Sequence, residues 1–163
     1  MTTMSEFTHF NEDGASRMVD VGSKEVTERM ARAVAILEMQ PETLQQIRDR
    51  KLSKGDVLEV ARLAGIMSAK RTADLIPLCH PLQINHCEVD FELPKNGDRI
   101  VITASAKVTA QTGVEMEALT AVSMAALTLY DMCKSLDRAM VIERVQLEEK
   151  TGGKSGAFVR KEK

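Results

Sequence analysis

The run Cys87-Glu88-Val89-Asp90-Phe91-Glu92-Leu93-Pro94-Lys95-Asn96-Gly97-Asp98, continuing through Ile100, Ile102, Ala104, Ala106 and Val108, decides the fold. Apolar residues alternate with Glu88, Asp90 and Glu92, the two-residue period of a strand with one wet face. Pro94 to Asp98 supplies the turn, with Asn96-Gly97 as its hairpin signal, and the second arm alternates in the same way. Before this hairpin, Val57, Val60, Ala61, Ala64 and Met67 recur at helical spacing, predicting a helix from Gly55 to about Ala73 that Pro77 and Pro81 stop. After it, the Ala-, Met- and Leu-rich run from Gly113 to about Leu136 has no internal Gly or Pro and reads as a long helix.

Outward from these elements, Met140 to Glu149 is expected to be a last strand, and Pro41 to open a short helix to about Arg50. Val26 to Leu37 fits either a helix or a strand by periodicity. Taken as a strand, it makes the order βαββαβ, an α+β ferredoxin-like arrangement in which helices cover one face of an antiparallel sheet. The 163 residues are expected to form a single domain, 1–163, with a polar N-terminal segment 1–16 and a Gly/Lys-rich C-terminal loop 150–156.

Composition narrows the function. With 22 Lys+Arg against 24 Asp+Glu the formal net charge is −2, and aromatics are 3% with no Trp, so general attraction to nucleic acid or base-stacking platforms are not expected. Any anion site must be local. No apolar run approaches the roughly 18 residues of a membrane span, and Met1 to Glu6 has no signal-peptide character, so the reading is cytoplasmic and membrane-free. Cys79, Cys87 and Cys133 are odd in number and widely spaced, which fits reduced thiols used in packing.

Several groups could carry chemistry. Cys79-His80 and His86-Cys87 gather two thiols and two imidazoles, zinc's ligand types. However, neighbours on a strand point to opposite faces, and neither pair has a zinc-knuckle gap, so no metal ligands are assigned. His80, in a loop stiffened by Pro77 and Pro81, could bind phosphate or shuttle protons, or simply be a buried histidine. Lys150-Thr151-Gly152-Gly153-Lys154-Ser155-Gly156 has the character of a phosphate cradle, and a flexible tail is the plainer alternative. It is not a Walker A loop, which needs a Gly where Glu148 stands.

Glu115 and Glu117 fall in the first turn of the long helix, where its dipole alone favours carboxylates. Asp131 and Lys134 fall one turn apart near its end, the spacing of an ordinary surface ion pair. Fourteen residues separate Glu117 from Asp131, about 21 Å of helix, so one chain cannot aim both at one atom. Either the ligand is long or another chain completes the site. Lys54, Lys70 and Arg71 are, each alone, ordinary surface cations.

Taken together, Met18-Val19-Asp20-Val21, Lys54-Gly55-Asp56-Val57, Asp74-Leu75-Ile76-Pro77-Leu78-Cys79-His80-Pro81-Leu82, Thr112-Gly113-Val114-Glu115-Met116-Glu117, Tyr130-Asp131-Met132-Cys133-Lys134 and Gly152-Gly153-Lys154-Ser155-Gly156 are similar to one family. Over residues 7 to 157 the sequence resembles molybdenum cofactor biosynthesis protein C, the cyclic pyranopterin monophosphate synthases. The resemblance implies a lyase that converts a cyclised GTP intermediate, 3',8-cyclo-7,8-dihydro-GTP, to cyclic pyranopterin monophosphate with release of pyrophosphate. It implies a radical-SAM GTP cyclase as the supplier of that substrate, and a homohexamer, a trimer of dimers, with intersubunit sites. By position it implies Asp131 as catalytic, Lys54 and Lys134 in proton transfer, and Leu78, Cys79, His80, Met116 and Glu117 in substrate binding. Glu115 is grouped with them, and Lys70, Arg71 and Lys154 are assigned phosphate contacts. The one metal considered is a divalent cation such as Mg accompanying the triphosphate. A lysine set among other cations should lose its proton more readily, which would suit Lys54 or Lys134 to act as a base. The alternative from another class is a non-catalytic ferredoxin-like sensor that binds a nucleotide or metal.

Overall fold

The computed structural model describes residues 9–11, 13–52 and 55–161. Among them the chain runs β1 (Thr27–Glu38), α1 (Pro41–Arg48), α2 (Val57–Ala69), α3 (Thr72–Leu75), β2 (His86–Glu92), β3 (Arg99–Ala110), α4 (Glu115–Cys133), β4 (Val141–Thr151) and β5 (Phe158–Val159). The antiparallel sheet has the order β2-β3-β1-β4-β5, so its first four strands lie as 2-3-1-4, the ferredoxin-like arrangement.

Tertiary pairing settles the ambiguous first element. As the central strand, β1 pairs along its length with β3, Ala31 opposite Ala106 and Leu37 opposite Ile100, and on its other side with β4. Ala31, Ala33, Ala35 and Leu37 are fully buried on the helix side. These small side chains let the helices sit close. On α4, Ala118, Ala121, Val122, Ala125, Ala126 and Leu129 are fully buried in turn. Gly65 of α2 is required there, because a Cβ would lie 2.9 Å from the Ala121 carbonyl oxygen. Serine 68 (Ser68) reinforces the crossing, its hydroxyl donating to the carbonyls of Gly65 at 2.8 Å and Thr120 at 3.4 Å. On the opposite sheet face, which carries no helix among the described residues, Val34 and Ile36 are half-buried and Arg32 faces Glu149 at 3.5 Å.

Two departures from expectation bear on the site. The helix expected to reach Ala73 stops at Ala69, so Lys70 and Arg71 occupy the break before α3. The C-terminal loop turns back through Gly152, Gly153 and Gly156, all at positive φ, into β5, which pairs Lys150 with Phe158. It is therefore a hairpin and not a loose tail. The β2–β3 turn falls between Glu92 and Arg99, where the Pro94 to Asp98 signal places it, and Gly97, not at positive φ, lies beside the Pro94 ring. No helix among the described residues is long and apolar enough to cross a membrane.

Candidate active site

One end of the sheet gathers the start of β1, the end of β3, the first turn of α4 and the β4–β5 hairpin. The loop after α3 closes over that end. A turn bond from the Cys79 N–H to the Ile76 carbonyl, 3.1 Å, shapes the loop, and His80 Nε2 lies 2.8 Å from the Val19 carbonyl oxygen. A carbonyl only accepts, so Nε2 carries hydrogen and a neutral His80 offers Nδ1 as its free acceptor. Between this loop and α4 lies a cavity of about 410 Å³. Leu78, Cys79, His80, Glu115, Met116 and Glu117 all line it, so the two segments read as substrate-binding meet as expected.

The floor of the cavity is acidic and poorly hydrated. Glu117 is 4% exposed. Burial pushes its carboxyl up to about 7, with the Glu115 charge adding to the rise. Burial, and then the charge of Glu117, also push the Cys79 thiol up, which argues against a thiolate nucleophile. Glu115 is paired with Lys150, Nζ to Oε1 2.8 Å, and the same Nζ donates to Ser155 Oγ at 3.0 Å.

From Glu115 the cavity continues into a cleft of about 200 Å³ bordered by Arg29, Gly113, Lys150, Gly152 and Ser155. It opens further into a recess of about 470 Å³ lined by Lys24, Glu25, Thr27, Arg29, Gly153, Lys154 and Ser155, in which cations outnumber the one carboxylate. The three spaces share lining residues and form one trough, acidic beside α4 and basic beside β1 and the hairpin. Arg29 is fixed there by donating to the carbonyls of Ala110 at 3.0 Å and Gln111 at 3.1 Å. Gly152, at φ +93°, lies where a Cβ would collide with the Glu28 carbonyl, so only glycine lets the hairpin lie against Arg29. Thr27 Oγ1 is buried without a hydrogen-bond partner among the described residues.

The remaining expected residues divide. Lys154 lines the basic recess and is exposed. Lys70 and Arg71 border a small pocket of about 90 Å³ on the other side of Glu117. Lys54 lies outside the described residues. Asp131 and Lys134 are at the far end of α4, joined at 2.7 Å and both more than half exposed, and one chain does not bring them to the trough. Their geometry corrects one expectation: the bond to Asp131 raises the Lys134 pKa, because its close neighbour is a carboxylate and not a cluster of cations. His86 projects to solvent near Glu88, 3.4 Å away, while Cys87 sits half-buried on the strand's other face, its thiol pushed up to about 11 by burial. A further recess, about 680 Å³ between α1 and the β2–β3 loop, holds none of the expected site residues. Its Arg48 guanidinium is engaged by the carbonyls of Pro94 and Lys95.

Lys150 belongs to the glycine-rich segment read as a phosphate cradle and lines the trough. Lys24, Thr27 and Arg29 carry no such signal, because they lie at the entry to a strand whose register only the folded sheet reveals.

A two-layer ferredoxin-like domain with a trough that offers carboxyls on one wall and Lys and Arg on the other defines a class: small α+β domains with a concave site suited to a polar, anion-bearing ligand. Within it, the chain belongs to the MoaC family, whose sequence profile matches residues 18–153. It is 59% identical over 157 residues to a protein of Magnetococcus marinus, covering 96% of each chain. It is 58% identical over 153 residues to one from Parvibaculum lavamentivorans, covering 94% of this chain and 96% of that one. A protein of Desulforapulum autotrophicum is 56% identical over 156 residues, with 96% of each covered. All three carry the name cyclic pyranopterin monophosphate synthase.

Proposed function

We propose that this chain is a cyclic pyranopterin monophosphate synthase of molybdenum cofactor biosynthesis, a lyase that converts 3',8-cyclo-7,8-dihydro-GTP to the cyclic pyranopterin monophosphate and releases pyrophosphate. The observation that carries the reading is the convergence of Leu78–His80 and Glu115–Glu117 on one cavity that opens into a basic trough. Carboxyls suit the N–H-bearing edge of a guanine-derived ring, and Arg29, Lys150 and Lys154 suit phosphates.

Closing a cyclic phosphate while pyrophosphate leaves puts charge on phosphoryl oxygens, and fixed cations stabilise it without a covalent intermediate. Rebuilding the five-membered ring as a pyrazine ring requires protons to move onto and off nitrogen and oxygen. In our reading Lys134, held charged by Asp131, donates, and Lys54 accepts; Asp131 orients the donor. Lys70 and Arg71 take phosphate contacts with Lys154. Because Asp131 lies about 21 Å along α4 from Glu117, with Lys134 one turn further, they act in the trough of a neighbouring copy, which is consistent with a homohexamer built as a trimer of dimers. A divalent cation such as Mg arrives as the triphosphate's counter-ion. The substrate comes from the radical-SAM GTP cyclase of the same pathway, in the cytoplasm.

The test is incubation of purified protein with the cyclised GTP, following pyrophosphate and a cyclic-phosphate pterin by phosphorus NMR and mass spectrometry. Equal yields of both are expected. Tight binding without turnover would favour a sensor and overturn the reading.

A further inference from the structure

We propose that His9 is a substrate-contacting residue of this site, brought there by an N-terminal strap whose described residues are 9–11 and 13–24. The proposal rests on the synthase reading and adds a residue to it.

The head of the strap is a self-closed loop. Phe10 bridges Ser16, and the Arg17 N–H donates to the His9 carbonyl at 2.8 Å. Inside, Asn11 Oδ1 accepts from the Ala15 N–H at 2.7 Å and the Asp13 N–H at 3.1 Å, while Gly14 takes the left-handed turn position at φ +78°. These bonds hold the His9 backbone beside Arg17, with the His9 side chain exposed at the mouth of the cavity it lines.

Beyond the head, the strap is fastened to the site at two points. The Val19 carbonyl accepts from His80, and the carbonyls of Gly22 and Lys24 accept from Gln111 Nε2 at 3.2 and 3.1 Å. Val19 and Val21 line the cavity between these points, and His9 lines the same cavity as His80 and Glu117. The two histidines differ in what they have free. His80 has committed Nε2 to Val19, whereas neither ring nitrogen of His9 has a hydrogen-bond partner among the described residues.

The walls assign the contact. On the α4 side Glu115 is tied to Lys150 and the buried Glu117 faces the cavity, both suiting the N–H-bearing edge of the ring, so a ligand that reaches from there toward Lys24 and the basic recess passes His9. His9 therefore contacts phosphate oxygen, and its loss should weaken substrate binding more than turnover.

Steady-state kinetics with the cyclised GTP test this. For His9→Ala we expect KM to rise on the order of tenfold with kcat within about twofold of wild type. His9→Gln, which keeps an N–H donor, should recover part of the loss. Asn11→Ala loosens the loop, so it should raise KM in the same direction and add little on top of His9→Ala. A KM within about twofold of wild type for His9→Ala, a His9→Gln no better than His9→Ala, or fully additive effects would each overturn the proposal. Wild-type protein that fails to turn over the substrate at all would instead overturn the synthase reading.

Discussion

Lys150 and Glu115 meet at 2.8 Å in the trough, their side chains 25% and 26% exposed, and so tie the end of β4 to the first turn of α4. The bond holds the glycine hairpin against the acidic wall while leaving Lys150 in reach of a ligand. Lys150→Met keeps the hydrocarbon stem and strands the Glu115 charge. We expect a stability loss of about 1–2 kcal/mol in urea unfolding, together with a KM raised tenfold or more. An unchanged KM would show that Lys150 is purely structural.

Glu117 makes stability depend on pH. Its carboxyl is raised from the ordinary value of 4.5 to about 7, so between these the folded chain binds more protons than the unfolded one. The contribution is fully present below pH 4.5 and is lost as pH rises through about 7. Glu117→Gln should flatten that decline and, above pH 7, exceed wild type in stability by up to about 3 kcal/mol. Parallel pH profiles of the two proteins would contradict the burial argument.

Thr27 provides the opposite test of a site residue. Its orphaned hydroxyl gives nothing to the fold, so Thr27→Val should leave stability unchanged or raise it by about 1 kcal/mol. Substrate KM should rise severalfold. A clear drop in melting temperature would mean that the hydroxyl has a structural role.

Gly152→Ala forces a Cβ into the Glu28 carbonyl at φ +93° and should cost about 1–3 kcal/mol. Gly156→Ala, at φ +69° with open space around it, should cost about 1 kcal/mol and spare activity. Equal losses from the two would remove the case for a close-fitted hairpin.

Legibility in the sequence followed the range of the interactions. The Cys87 to Val108 hairpin and the long helix were readable because local alternation and propensity agree with the final sheet. Val26 to Leu37 was not, because an Ala-rich run is silent about periodicity until β3 and β4 flank it. Pro77 and Pro81 marked the His80 loop, and the glycine motif marked the hairpin. Arg29 gave no signal: its role comes from contact with Gly152 and the carbonyls of Ala110 and Gln111, more than eighty residues away. The spacing of Glu117 and Asp131 on one helix already required that they serve different ends of the molecule.

The central claim is that Asp131 of one copy serves the trough of another. It is tested most directly by exchanging subunits between two inactive variants, Asp131→Ala and His80→Ala, and measuring turnover of the cyclised GTP. With equal mixing and confirmed exchange, about one quarter of the sites should pair an intact Asp131 with an intact His80 from different chains, and activity should return to about that level. Exchanged hybrids that stay as inactive as their parents would contradict the account, because both residues would then act from the same chain.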